Sequence, residues 1–235
     1  MSDIYHTLSR GVDKRKIFLD KQDYFRFIHN LFILNNQEVV YTTLYSFINM
    51  DFASPNIKTD LGRKNQGLDR RKPRKLLVDI YAFCLMPNHY HLLLSPKVKD
   101  GIPKFMKKLN MAYAKYFNRK YKRKGTLFEA RYKRVPVEKE PHFYHLPYYI
   151  HLNPLDLKFP EWREGKLRNY RQALEFLEDY RWSSHLDYIG IKNFPSITDR
   201  NFLIEVFEGT AKYKQSIEQW LRELELEAFK DLVLE

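Results

Sequence analysis

Apolar residues change their spacing several times along this 235-residue chain, and each change predicts an element. Residues 5–9 read as a short strand that Arg10-Gly11 closes. Asp20 is placed to cap a helix reaching about Asn35, with Tyr24, Phe27, Ile28 and Leu31 on one face. Residues 39–47 are rich in β-branched and aromatic side chains and read as a strand or an extended connection. The strongest strand patterns are 76–86 and 89–95, with Pro87-Asn88 between them as a turn or a bulge. As hairpin partners they would put His89 and His91 on a central antiparallel strand.

Helical spacing returns at residues 102–121, where Ile102, Phe105, Met106, Leu109, Tyr113, Tyr116 and Phe117 share a side. Residues 126–137 read as extended. Residues 140–152 predict a helix ended by Pro154. Pro147 either kinks that helix or stands in its first turn, because proline removes an internal hydrogen bond. From Phe159 onward the pattern is a helical extension. Trp182-Ser183-Ser184 lies in an irregular segment, Thr198-Asp199 caps a helix through Phe207, and 212–235 form a long charged helix. The expected division is 1–158 and 159–235, with no internal repeat.

Charge narrows the partners. Lys and Arg number 41 against 29 Asp and Glu, a net charge of +12, which suits a polyanion. No apolar run approaches a membrane span, and Met1 to His6 has no signal-peptide core. Cys84 is the only cysteine, so no intrachain disulfide forms, and its apolar setting marks a small buried hydrophobe. The expectation is a soluble cytoplasmic protein, nucleoid-associated when bound to DNA. Between Lys104 and Lys124 stand nine cations and no acid: Lys104, Lys107, Lys108, Lys115, Arg119, Lys120, Lys122, Arg123 and Lys124. With Arg131, Lys133 and Arg134 they predict a phosphate-facing surface. Residues 51–74 are polar and basic, an exposed insertion that is a solvated loop or a DNA-contacting arm. The 17 Tyr and 17 Phe fill a core, and any surplus can stack on unpaired bases.

The candidate chemistry begins at His89-Tyr90-His91. On a strand, positions two apart point to one side, so both imidazoles can aim at one ion while Tyr90 turns away. In a helix, positions four apart share a face, so Tyr149 and Asn153 can present a phenol and an amide oxygen together. In the scheme this suggests, His89, His91 and the Asn153 oxygen hold a divalent cation that polarises a phosphodiester. Tyr149 attacks phosphorus in line, giving a 5′-phosphotyrosyl enzyme and a free 3′-hydroxyl that can later rejoin the strand. The proton acceptor is water, His145 or His151. Spacing alone leaves Tyr148, Tyr144, Tyr113 and Tyr116 as rivals for the nucleophile, and Mg²⁺, Mn²⁺, Co²⁺ or Zn²⁺ as the ion.

Several motifs in order carry a resemblance. They are His6-Thr7-Leu8-Ser9-Arg10-Gly11; Ile17-Phe18 with Asp23-Tyr24; Cys84 through Leu93; Tyr116-Phe117-Asn118; Gly125 to Phe128 and Arg131-Tyr132; Tyr149 to Pro154; and Trp182-Ser183-Ser184. On these the chain resembles the single-tyrosine HUH transposases, most closely the REP-associated tyrosine transposase branch. The resemblance implies an α+β fold: a ferredoxin-like antiparallel sheet flanked by helices. It implies that His89, His91 and Asn153 bind Mg²⁺ or Mn²⁺, that Tyr149 is the nucleophile, and that the partner is single-stranded or hairpin DNA, handled by a monomer or homodimer. The chain departs from the pattern at Tyr90, at the doublet Tyr148-Tyr149, at Pro147, over 155–158 and in the insertion. Only Tyr149 of the doublet keeps the four-residue relation to Asn153. Two other functions share these residues: a domesticated hairpin binder that does not cut, and a phosphodiesterase using water.

Overall fold

The computed structural model describes residues 3–38, 74–138 and 140–223. The first part of the chain runs β1 (Tyr5–Arg10), α1 (Lys21–Ile33), β2 (Val78–Met86), β3 (His89–Pro96), α2 (Gly101–Lys120), β4 (Lys133–Pro136) and α3 (Glu140–Leu152). The sheet order is β2-β3-β1-β4, and the strand pairs β2–β3, β3–β1 and β1–β4 are all antiparallel. That connectivity and order are those of the ferredoxin-like fold. The histidine strand is central, as its apolar sequence predicts.

Strands β2 and β3 read as near-continuous apolar runs because both sheet faces are covered. Phe83, Leu85, Tyr90, Leu92 and Leu94 enter one core with α1 and α2, where they join Phe27, Leu31, Phe105, Leu109 and Tyr113. Ala82, Cys84, Met86 and Leu93 enter the other core with Tyr149, Ile150 and Leu152 of α3. A register shift between Ile80 and Ala82 moves Tyr81 to this second side. Gly101 starts α2 against the sheet, where a β-carbon would collide with the Leu77 carbonyl.

Asp20 caps α1 as expected, and Asp23 completes a capping box: the Asp23 amide donates to Asp20 Oδ1 at 3.1 Å, and the Asp20 amide to Asp23 Oδ2 at 3.4 Å. Pro147 lies inside α3, which continues through it. Of the extended segment expected at 126–137, Lys133–Pro136 forms the continuous ladder with β1, and the chain meets its far end again at the Phe128–Gly11 bridge and the Glu129 N to Arg10 carbonyl bond. The expected strand at 39–47, insertion residues 51–73 and the terminal helix beyond 223 lie outside the described residues. Arg74 lies over the Phe32 ring at 3.7 Å and donates to the Phe32 carbonyl.

Beyond α3 come two 3-10 turns, Asn153–Leu157 and Pro160–Glu164, then α4 (Tyr170–Asp179), α5 (His185–Tyr188), α6 (Arg200–Val206) and α7 (Thr210–Arg222). Asp199 stands at the N-cap of α6 but makes no side-chain cap bond. Trp162, Leu177, Tyr188, Leu203, Tyr213 and Ile217 share one core with α3. The irregular 182–184 segment lies along the outer edge of β2: Leu85 N donates to the Trp182 carbonyl at 2.9 Å, and Ser184 N to the Phe83 carbonyl at 3.0 Å. It thereby covers an edge that would otherwise expose backbone donors and acceptors.

Candidate active site

Directly opposed residues of an antiparallel pair share a sheet face. His91 opposes Leu8 and Cys84, His89 opposes Arg10 and Met86, and His6 opposes Leu93. His6, His89 and His91 therefore all face α3. All three are buried.

Each histidine of the pair is oriented through Nδ1. His89 Nδ1 lies 2.7 Å from the Asn88 side-chain oxygen, to which it donates. His91 Nδ1 lies 2.9 Å from His6 Nε2, and the two rings stack with centroids 5.1 Å apart. His89 Nδ1 donates, which leaves its lone pair on Nε2, and the His6 contact permits the same tautomer at His91. The Nε2 atoms of His89 and His91 are both sealed from solvent, and the two rings lie 4.9 Å apart.

Helix α3 brings Tyr149 onto this face. Its ring stands edge-on to His91 at 6.1 Å and to His6 at 6.2 Å. The preceding residue, one helical step of about 100° away, turns to the other side: the Tyr148 ring packs on Phe207, Tyr213 and Trp220, and burial pushes its phenol up to about 12. Tyr113 is buried in the opposite core, the Tyr116 hydroxyl donates to Asp23, and Tyr144 is exposed. Of these five tyrosines, Tyr149 is the one whose ring meets the histidines.

Asn153 opens the first 3-10 turn. Its Nδ2 donates to the Tyr149 carbonyl at 2.8 Å, and its Oδ1 accepts from Arg163 Nη2 at 3.1 Å. Arg163, in the second turn, also donates through Nη1 to the Tyr149 hydroxyl at 3.3 Å. Asp156 fixes it, accepting from Nε at 2.8 Å and from Nη2 at 2.6 Å. Tyr149 and Asn153 thus meet through Arg163, which nothing in the residue pattern singled out.

Two imidazole nitrogens and an amide oxygen form a donor set that a divalent cation accepts. Among the described residues no group of three or more His, Cys, Asp or Glu is arranged to hold an ion; the third donor expected from the sequence is the Asn153 oxygen.

The two histidines expected as proton acceptors lie elsewhere. His151 Nδ1 pairs with the Tyr213 hydroxyl and Nε2 with Ser184 Oγ, each at 2.6 Å, and burial holds its pKa well below the usual range. His145 stacks on Trp220. His6 is the histidine beside the phenol. The sequence signal for it was a strand histidine in the first motif, but its role depends on strand register.

The expected DNA-binding cations divide between layers. Helix α2 packs against the sheet face opposite the histidines. Lys104, Lys107, Lys115, Arg119, Lys122 and Lys124 are exposed there. Lys108 donates to the Asn36 and Glu38 carbonyls, and Arg123 to Asn118. Lys120 bridges Asp20 and Asp23 at 2.8 Å each. Burial opposes its charge, but the hydrogen bonds it donates to Asp20 and Asp23 prevail and raise its pKa. On β4, Lys133 shares the face of Leu8 and His91, whereas Arg134 opposes Thr7 and lies over the Tyr5 ring at 4.8 Å. Arg131 is exposed just before that strand. No helix of the described residues is long and apolar enough to cross a membrane.

Residues 58–153 match the family model "Transposase IS200 like". Among solved structures, a REP-associated tyrosine transposase bound to a REP hairpin is similar at 12% identity, with a TM-score of 0.47 and 83% of each chain covered. No curated protein matches. The matched stretch contains the histidine strand, Tyr149 and Asn153, and over it the chain is similar to the IS200-like transposases.

Proposed function

We propose that this protein cuts and rejoins single-stranded DNA, next to a hairpin of the REP type, by transesterification through Tyr149. One observation carries the reading: a phenol from α3 lies edge-on to His91, 6.1 Å between ring centroids, on the sheet face that also holds His89. The similarity of residues 58–153 to IS200-like transposases supports the substrate class.

His89, His91 and the Asn153 oxygen would hold a divalent ion, Mg²⁺ or Mn²⁺, which when bound supplies Lewis-acid stabilisation of phosphate charge. The chain's own residues do the rest. Asn88 and His6 fix the imidazole orientations. Tyr149 attacks phosphorus in line and retains the 5′-phosphate, and the strand leaves with a free 3′-hydroxyl. The covalent link conserves the energy of the broken bond for rejoining. With His91 Nε2 turned to the ion, His6 Nε2 accepts from His91 Nδ1, so the phenolic proton passes to water.

Tyr149 is only 2% exposed. A DNA strand therefore reaches it where Arg163 and Asp156 border solvent, their side chains 23% and 24% exposed. The same burial favours a second reading, a non-cleaving hairpin binder.

The test is incubation with hairpin-flanked single strands and Mn²⁺. A covalent protein–DNA adduct that Tyr149→Phe abolishes supports transesterification. Tight binding without an adduct supports the binder. Cleavage that survives Tyr149→Phe points to hydrolysis by water and rejects both.

A further inference from the structure

Arg163 lies ten residues past Asn153, beyond the stretch that matches the family. Its guanidinium serves three groups at once: Nη1 donates to Tyr149 Oη at 3.3 Å, Nη2 to Asn153 Oδ1 at 3.1 Å, and Nε and Nη2 to the Asp156 carboxylate. Its carbon stands 5.4 Å from the centre of the Tyr149 ring. Asp156 is itself held, because the indole N–H of fully buried Trp162 donates to Oδ1 at 2.6 Å. The cation is thus anchored by an acid that cannot readily swing away, with one N–H directed at the phenol oxygen. Only a planar fork of several donors meets all three partners; a lysine ammonium would have to choose.

We infer that Arg163 is a catalytic residue that stabilises the negative charge of the Tyr149 oxygen in both directions of strand transfer, with Asp156 as its positioning residue. This rests on the transesterification reading above. In cleavage, Tyr149 Oη forms a bond to phosphorus, the bond from phosphorus to the 3′ oxygen breaks, and the phenolic proton ends on that oxygen. In rejoining, the 3′-hydroxyl attacks the phosphotyrosine, the phenol oxygen leaves with the bonding pair, and the hydroxyl proton ends on that oxygen. A leaving phenolate in a nearly dry pocket is costly unless a cation is already in place. Arg163 is that cation, and a phosphoryl group on Oη would put its free oxygens within reach of the same guanidinium.

Arg163→Lys, Arg163→Ala and Asp156→Asn, each in the full chain, test the assignment by single-turnover adduct formation and rejoining with Mn²⁺. DNA affinity and melting are followed in parallel. Arg163→Ala should slow both steps by roughly 10²-fold with little change in DNA affinity. Added methylguanidinium should restore part of the rate, and Arg163→Lys should fall between Ala and wild type. A clamp that merely tied the 160–164 turn to α3 would not respond to methylguanidinium. If Arg163→Ala melts far below wild type, Asp156→Asn decides: slowed chemistry at unchanged affinity supports the assignment. Wild-type rates in these variants, or losses that only track affinity, overturn it while leaving Tyr149 as nucleophile. Absence of any adduct with the wild-type protein overturns the underlying reading and this inference together.

Discussion

His6 Nε2 and His91 Nδ1 lie 2.9 Å apart, joining residues 85 positions apart in the chain through the β1–β3 ladder. His91 is thereby oriented through Nδ1, and the histidine stacked on it comes from another strand. Substituting His6 by Ala should leave hairpin DNA affinity nearly intact but lower adduct formation by roughly 10- to 100-fold, the usual cost of losing an orienting partner. Titrating Mn²⁺ at each step separates weaker ion binding from slower chemistry. Equal rates in wild type and variant would remove His6 from the mechanism.

The basic stripe of α2 lies on the layer away from Tyr149. Neutralising Lys104, Lys107 and Lys115 to Gln should weaken single-stranded DNA binding and flatten its salt dependence by roughly 0.7 in log–log slope for each phosphate no longer neutralised. The rate within the bound complex should hold. Lys120→Gln should instead lower stability with little effect on the salt slope, because its charge serves Asp20 and Asp23. Binding isotherms at several salt concentrations check both.

Tyr90 turns away from the histidines and donates to Asn110 Oδ1 at 2.5 Å, while Asn110 Nδ2 donates to Ser9 Oγ at 3.0 Å. Tyr90→Phe leaves the Asn110 oxygen without its donor, at a cost of about 1 to 3 kcal/mol. Denaturant unfolding should record that loss without altering cleavage, since this network ties α2 to the face opposite the site.

Acid should loosen the C-terminal helices. His185 is buried against His151 and Tyr213, with ring centroids at 5.7 and 6.2 Å. Burial, aided by the Lys214 charge, lowers its pKa from 6.5 to about 4. Between those values the unfolded chain binds a proton that the folded chain refuses, so stability is full above pH 6.5 and falls as pH drops toward 4. Each unit is worth about 1.4 kcal/mol, roughly 3 kcal/mol in all. Burial depresses His151 too, which adds loss of the same sign. Unfolding free energies at pH 7.5 and 5 should differ by about 2 kcal/mol through His185 alone, and His185→Gln should shrink the difference.

Much of the fold is legible locally. The capping box at Asp20 and Asp23 needs only nearby residues, and the spacing of Ile102, Phe105, Leu109 and Tyr113 requires a helix with one buried side. The two-residue period of His89 and His91 put both on one face whatever lay opposite. The four-residue step from Tyr149 to Asn153 runs past the end of α3 into the 3-10 turn, and in space the two side chains are joined through Arg163. The basic run 104–124 was legible as charge, but not as a stripe on the far layer with Lys120 withdrawn into an ion-pair network.

The chain's own periodicities determined the strands, the long helix and the paired imidazoles, because those depend on neighbours a few residues away. Tertiary structure alone decided that His6 supports His91, that Tyr149 rather than Tyr148 meets the histidines, and that Arg163 grips the phenol. Strand register and helix rotation set these relationships, and both are fixed by burial of whole faces rather than by any local signal.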